Sequence, residues 1–82
     1  MKIIVYTKAA CPNCVSAKQL LTSNGLAYEE RSMDDPAERM AFSMLFPDIR
    51  QMPQVFVDGQ RLGGLAGLQA ALTTLLDARA QT

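Results

Sequence analysis

Cys11 and Cys14 are the only cysteines in this 82-residue chain, and Pro12 and Asn13 separate them as Cys-x-x-Cys. The chain has no histidine. That absence removes Ser-His and Cys-His nucleophilic catalysis and every zinc site built on imidazole. Two thiolates cannot close a four-ligand metal site within one chain, so no metal ligands are assigned. What the pair can do is thiol–disulfide exchange, in which a thiolate attacks a disulfide sulfur and passes through a mixed disulfide. A purely stabilising bridge is the plainer alternative. Closing so short a loop, however, removes less unfolded-state entropy than the roughly 3 kcal/mol assigned to a 15-residue loop, and a reducing cytosol would open it.

The element that must position these thiols is a helix starting at Pro12. Val15, Ala17, Leu20 and Leu21 fall near helical spacing, and Asn24-Gly25 supplies the C-terminal stop. Cys11 then sits at the cap, where unpaired backbone N–H groups and the helix dipole favour negative charge and lower a thiol pKa. Cys14 lies one turn further in on the same side, less exposed, and is placed to attack a mixed disulfide held by Cys11. Cys11 is thus the expected nucleophile and Cys14 the resolving thiol. Pro12 takes the first helical position, where its missing N–H costs nothing, and Lys8 adds positive charge nearby.

Before this helix, Lys2 to Thr7 is β-branched and aromatic without clear alternation, as expected of a central strand covered on both faces. Leu26 to Met33 reads as a second, more polar strand, and strand–helix–strand predicts a right-handed parallel unit. Asp35 is a plausible N-cap with Pro36 at the first helical position. Met40, Met44 and Leu45 form the expected apolar stripe of this second helix, which should end before Pro47. Gln54 to Asp58 reads as a strand, Asp58-Gly59 as a tight hairpin turn, and Gln60 to Leu62 as its antiparallel partner. Gly63-Gly64 is expected to open the last helix, with Leu65, Leu68, Leu72, Leu75 and Leu76 on one face. The order is βαβαββα. Met33, Met40 and Met44 are expected to fill the core, and Tyr6, Tyr28, Phe42, Phe46 and Phe56 to be buried or half-buried.

At this length one domain spanning residues 1–82 is expected, because two pieces would each be too small to bury a core. Eight basic and eight acidic residues do not segregate, which argues against nucleic acid and anionic membrane as partners. Ile3 to Val5 is too short an apolar run for a signal peptide or membrane span, which points to the cytoplasm. No segment signals oligomerisation, and a monomer is expected.

Two further features carry alternatives. Met52-Pro53 before a strand can be a simple turn or a cis bond. Gly63-Gly64 can end a hairpin, or it can let backbone N–H groups reach an anionic ligand.

Taken together, Tyr6-Thr7-Lys8-Ala9-Ala10-Cys11-Pro12-Asn13-Cys14, Met52-Pro53-Gln54-Val55-Phe56-Val57-Asp58-Gly59 and Leu62-Gly63-Gly64-Leu65 resemble the glutaredoxins over nearly the whole chain. The resemblance implies an α/β thioredoxin fold, with a four-stranded mixed sheet flanked by three helices, and a cis Met52-Pro53 beside the active site. It implies glutathione as co-substrate, no tightly bound cofactor, and disulfide-containing proteins as partners. In that family the backbone at Met52 would pair with the cysteinyl part of glutathione. Lys8 and a polar residue near Gln51 would hold the glycine carboxylate, and the N–H groups of Leu65 and Ala66 after Gly64 would hold the γ-glutamyl carboxylate. Pro12, Asn13 and Pro53 belong to the same expected surface.

Two positions depart from the family pattern. Ala66-Gly67 stands where the family usually has an aspartate for the γ-glutamyl ammonium, and Asn13 stands where an aromatic residue is common. The resemblance also admits two other functions. One is an electron donor to ribonucleotide reductase that is itself reduced by thioredoxin reductase. The other is a carrier holding an iron-sulfur cluster between two subunits with glutathione as ligand.

Overall fold

A computed structural model describes residues 1–80 of the protein. The elements are β1 (Ile3–Thr7), α1 (Pro12–Ser23), β2 (Glu29–Ser32), α2 (Pro36–Leu45), β3 (Gln54–Val57), β4 (Gln60–Gly63) and α3 (Leu65–Ala80). The sheet order is β2-β1-β3-β4. β1 and β2 run parallel, with Val5 opposite Glu30. β1 is antiparallel to β3, with Val5 opposite Val55, and β3 is antiparallel to β4. This is the expected βαβαββα thioredoxin fold, and β1 is central as its composition predicts.

Both faces of β1 are covered, but by different chemistry. Ile3, Val5 and Val55 pack with Ala17 and Leu21 of α1 and with Leu68 and Leu75 of α3 in one aliphatic cluster. Leu21, Leu68, Val5 and Val55 are its largest fully buried side chains. Burying each contributes about 1.5–3 kcal/mol. On the opposite face Tyr6 and Phe56 meet Phe42 of α2, with Tyr6 and Phe42 ring centroids 4.8 Å apart and Phe46 against Phe56 at 5.2 Å. Such tilted and edge-on pairs each add about 0.5–1.5 kcal/mol beyond area burial.

The helix boundaries follow their local chemistry. Asp35 caps α2, its Oδ1 accepting the Ala37 N–H at 2.9 Å, with Pro36 as the first helical residue. Asn24 closes α1, and Gly25 follows at φ 69°, a conformation glycine adopts at little cost. In the hairpin both Asp58 (φ 49°) and Gly59 (φ 84°) have positive φ, as the favoured two-residue turns require.

Three expectations are corrected. The Met40, Met44 and Leu45 stripe does not face the sheet. These residues are 68%, 79% and 71% exposed, and Phe42 is the buried residue of α2. Met40 and Met44 therefore fill no core, and Met33 is only partly buried. The reason is tertiary, because the Tyr6 and Phe56 rings on this face of the sheet select the one aromatic face that α2 offers. The second strand is shorter than read: Leu26 is buried in the aliphatic core, but the pairing begins at Glu29. Gly63 ends β4 rather than opening the last helix. Gly64 precedes the first residue of α3, and its carbonyl accepts the Leu68 N–H at 3.0 Å.

Candidate functional site

The end of β1 and the segment after β2 place Cys11. The buried Thr7 hydroxyl donates to Glu30 Oε2 at 2.7 Å, and the Thr7 carbonyl accepts the Met33 N–H at 2.7 Å. Lys18 of α1 pairs with the same Glu30 oxygen at 3.0 Å. The Thr7 hydroxyl and Lys18 hold the Glu30 carboxyl below its ordinary value of 4.5. One residue past Lys8, the Ala9 N–H donates to Asp34 Oδ2 at 2.9 Å, which ties the loop to the turn after β2. Ala10 then adopts φ 54°, a left-handed bend that costs a non-glycine residue about 1–2 kcal/mol. The bend delivers Cys11 as the N-cap of α1, with Pro12 first in the helix.

Cys11 and Cys14 form a disulfide, with Cα atoms 5.2 Å apart. The Cys14 N–H donates to Cys11 Sγ at 3.2 Å, an interaction that favours negative charge on that sulfur once the bridge is open. Cys11 is 9% exposed and Cys14 2%. An incoming group therefore meets Cys11 first.

Facing the bridge, the Met52–Pro53 peptide is cis, and the Met52 carbonyl oxygen lies 3.6 Å from Cys11 Sγ. The buried Gln54 side chain holds this loop. Its amide nitrogen donates to the Gln51 carbonyl at 2.9 Å, and its oxygen accepts from Arg61 at 3.3 Å. Sequence reasoning treated Gln54 only as the start of a strand. The available signal was a polar residue leading an otherwise apolar run.

A hollow of about 300 Å³ opens beside the cis peptide. Asn13, Gln51, Met52, Pro53, Gly64, Leu65 and Ala66 line it together with Gln54. Seven of the expected binding residues are thus brought together from three separate parts of the chain. Lys8 and Pro12 are not in this lining. Pro12 is exposed at the start of α1, and Lys8 lines a larger hollow of about 540 Å³ on the other side of Met52. Among the described residues, the smaller hollow alone combines the cis peptide with the start of α3.

There the first-turn N–H groups of Leu65 and Ala66 have no helical acceptor and can take an anion. Gly67, next along, has a specific reason to be glycine. A Cβ at this position would overlap the Leu62 carbonyl oxygen, so the start of α3 rests on β4 at a separation that excludes a side chain.

A family model described as glutaredoxin matches residues 3–62. The chain belongs to the glutaredoxin family. It is 37% identical over 75 residues to glutaredoxin 3 of Escherichia coli K12, covering 92% of this chain and 84% of that protein. It is 39% identical over 66 residues to glutaredoxin 1 of Rickettsia bellii, covering 76% and 67%. Among solved structures, glutaredoxin 1 from Francisella tularensis, complexed with cacodylate, superposes with a TM-score of 0.78 at 35% identity, covering 93% of this chain and 96% of that one. As a glutaredoxin the protein is a thiol–disulfide oxidoreductase with a redox-active dithiol. Among the described residues, no helix is long and apolar enough to cross a membrane.

Proposed function

We propose that residues 1–82 act as one glutaredoxin domain that reduces disulfides at the expense of glutathione. The Cys11 thiolate attacks one sulfur of a protein disulfide or glutathione mixed disulfide. A new bond to Cys11 forms as the old S–S bond breaks, and the departing thiolate takes a proton from solvent. Cys14, deprotonated, then attacks the Cys11 sulfur, closes the internal bridge and releases the second thiol. Two glutathione thiols reopen that bridge and leave as glutathione disulfide, so two electrons pass from glutathione to the target. Such a dithiol, kept reduced between turnovers, suits the cytoplasm.

The convergence of Met52, Pro53, Gly64, Leu65 and Ala66 on one hollow beside the Cys11 sulfur carries this reading. In it the Met52 backbone pairs with the cysteinyl part of glutathione. The Leu65 and Ala66 N–H groups take the γ-glutamyl carboxylate, with Gly64 allowing close approach. Lys8 and Gln51 hold the glycine carboxylate from the rim, and Pro12, Asn13 and Pro53 shape the walls.

Gly67 supports a second reading, because among the described residues no carboxylate lines the hollow to meet the γ-glutamyl ammonium. Under that reading thioredoxin reductase is the electron source and a protein such as ribonucleotide reductase the acceptor. Reduction of a small mixed disulfide from NADPH separates the two. Turnover through glutathione and glutathione reductase supports the first reading. Turnover only through thioredoxin reductase replaces it with the second.

A further inference from the structure

A side chain on β4, outside the hollow beside Cys11, reaches the cis peptide through one intermediary. Gln54 and Phe56 lie two residues apart in β3 and share a face of the sheet, and Phe56 is the register partner of Arg61. Arg61 is therefore the diagonal neighbour of Gln54, within reach of a long side chain. Its guanidinium donates to the Gln54 side-chain oxygen at 3.3 Å, while the Gln54 amide nitrogen donates to the Gln51 carbonyl at 2.9 Å. Gln54 is buried and Arg61 is exposed. The two ends of this chain set its direction. A guanidinium only donates and a backbone carbonyl only accepts, so one orientation of the amide between them satisfies both. Turned over, it would set NH2 against guanidinium and oxygen against carbonyl, leaving buried polar atoms without partners.

We infer that Arg61 is a positioning residue for thiol–disulfide exchange: it orients the Gln54 amide, which fixes the Gln51 carbonyl and with it the Met52 peptide against which an incoming cysteine lies. β3 begins at Gln54, so the sheet register does not extend to Gln51 and Met52, and the side-chain link holds them instead. The next carbonyl along, that of Met52, lies 3.6 Å from the Cys11 sulfur, so a displacement at Gln51 reaches the reacting atoms within one residue. Arg61 itself does not line the hollow beside the cis peptide. The inference rests on the reading that a substrate cysteine pairs with the Met52 backbone. Without the guanidinium the Gln54 amide is free to rotate, and the loop spends time in positions where that pairing is poor. Because the pairing is made on binding and kept through attack, the loss falls on KM rather than kcat.

The test uses the full-length protein and the disulfide of N-acetylcysteine amide, which is uncharged and lacks the γ-glutamyl and glycine groups of glutathione. Dithiothreitol is the reductant, and the uncatalysed rate is subtracted. Arg61→Met should raise KM about fivefold with kcat within about twofold of the parent, and Arg61→Lys, which keeps a donor, should restore most of the loss. Gln54→Met should show a similar loss, and adding Arg61→Met to it should cost nothing further, because Arg61 acts only through Gln54. The loss should persist at about 1 M salt, where a Debye length of about 3 Å removes any long-range effect of the Arg61 charge. By NMR, the Gln54 side-chain amide protons should exchange faster in Arg61→Met than in the parent. Arg61→Thr, suited to an exposed strand position, gives a second side chain without a long-reaching donor should Arg61→Met fold poorly. Additive losses in the double variant, recovery at high salt, or an unchanged KM in the Arg61 variants would overturn the proposal. Failure of the parent to turn over with glutathione bears on the electron source alone, since this assay contains no glutathione.

Discussion

Replacing Gly67 with alanine sets two physical effects against each other. Helix propensity alone predicts a gain, since alanine is better than glycine within a helix by about 0.8–1.0 kcal/mol. The structure predicts a loss. The new Cβ would overlap the Leu62 carbonyl oxygen, a backbone atom in β4, and that strand is held in register against β3 through Phe56 opposite Arg61 and Val57 opposite Gln60. No flexible side chain is available to give way, so the start of α3 must lift from the strand. Overpacking of this kind costs typically about 1–3 kcal/mol and occasionally more. Because the atom overlapped is backbone, the cost falls in the upper part of that range, about 2–3 kcal/mol, and after the propensity gain a net loss of about 1–2 kcal/mol remains. In a domain of this size each kcal/mol moves the melting temperature by about 4–8 °C, so Tm should fall by about 4–16 °C. Thermal and urea unfolding of the oxidised protein and variant, compared in the same buffer, measures this. Lifting α3 also displaces the Leu65 and Ala66 N–H groups, so KM for a glutathione mixed disulfide should rise as well. An unchanged or higher Tm would falsify the close approach of α3 to β4.

The remaining expectations concern the thiols, the rim charge and the support beneath them. Cys11→Ser should abolish turnover, while Cys14→Ser should spare glutathione mixed disulfides and impair reduction of protein disulfides; coupled assays on the two substrate types check this, and equal loss from both variants contradicts the assigned roles. Lys8→Ala, at an exposed position, should raise KM for a glutathione mixed disulfide by about fivefold, equivalent to about 1 kcal/mol, with kcat little changed. Thr7→Val removes the buried hydroxyl that donates to Glu30 and should destabilise the fold by about 1 kcal/mol at neutral pH. Because the Glu30 carboxyl titrates lower folded than unfolded, its contribution is complete above the ordinary value of 4.5 and disappears as pH falls through the folded value. The variant should therefore lose less stability than the parent on that acid limb, and its Glu30 carboxyl, followed by NMR, should titrate higher. A parallel pair of acid limbs would contradict the role given to the hydroxyl.

Much of the fold was legible because it is encoded locally. The Asp35-Pro36 start of α2, the Asn24-Gly25 end of α1 and the Asp58-Gly59 turn each follow from the φ angles and orphan N–H groups of a few adjacent residues. The apolar run of β1 correctly foretold a strand covered on both sides. The errors arose where distant residues choose. On α2, periodicity identified an apolar stripe at Met40 and Met44, but the helix also carries Phe42, and only the aromatic face of the sheet decided which side turned inward. Gln54 was passed over for the same reason, since its partners, the Gln51 carbonyl and Arg61, become neighbours only when the loop and the hairpin fold together.

For the site itself, Cys11-Pro12-Asn13-Cys14 at a strand-to-helix junction determined the chemistry, because a thiol at a helix cap and another one turn later have fixed relative positions in any helix. Tertiary structure decided what surrounds it. Residues 41 positions apart bring the Met52 carbonyl to the Cys11 sulfur. Packing of α3 onto β4 reserves Gly67 for a bare backbone, and the side of Met52 on which each hollow opens depends on α2 and α3 lying on opposite faces of the sheet. Capping and spacing are properties of a few consecutive residues, whereas a cavity exists only between elements that the sequence keeps apart.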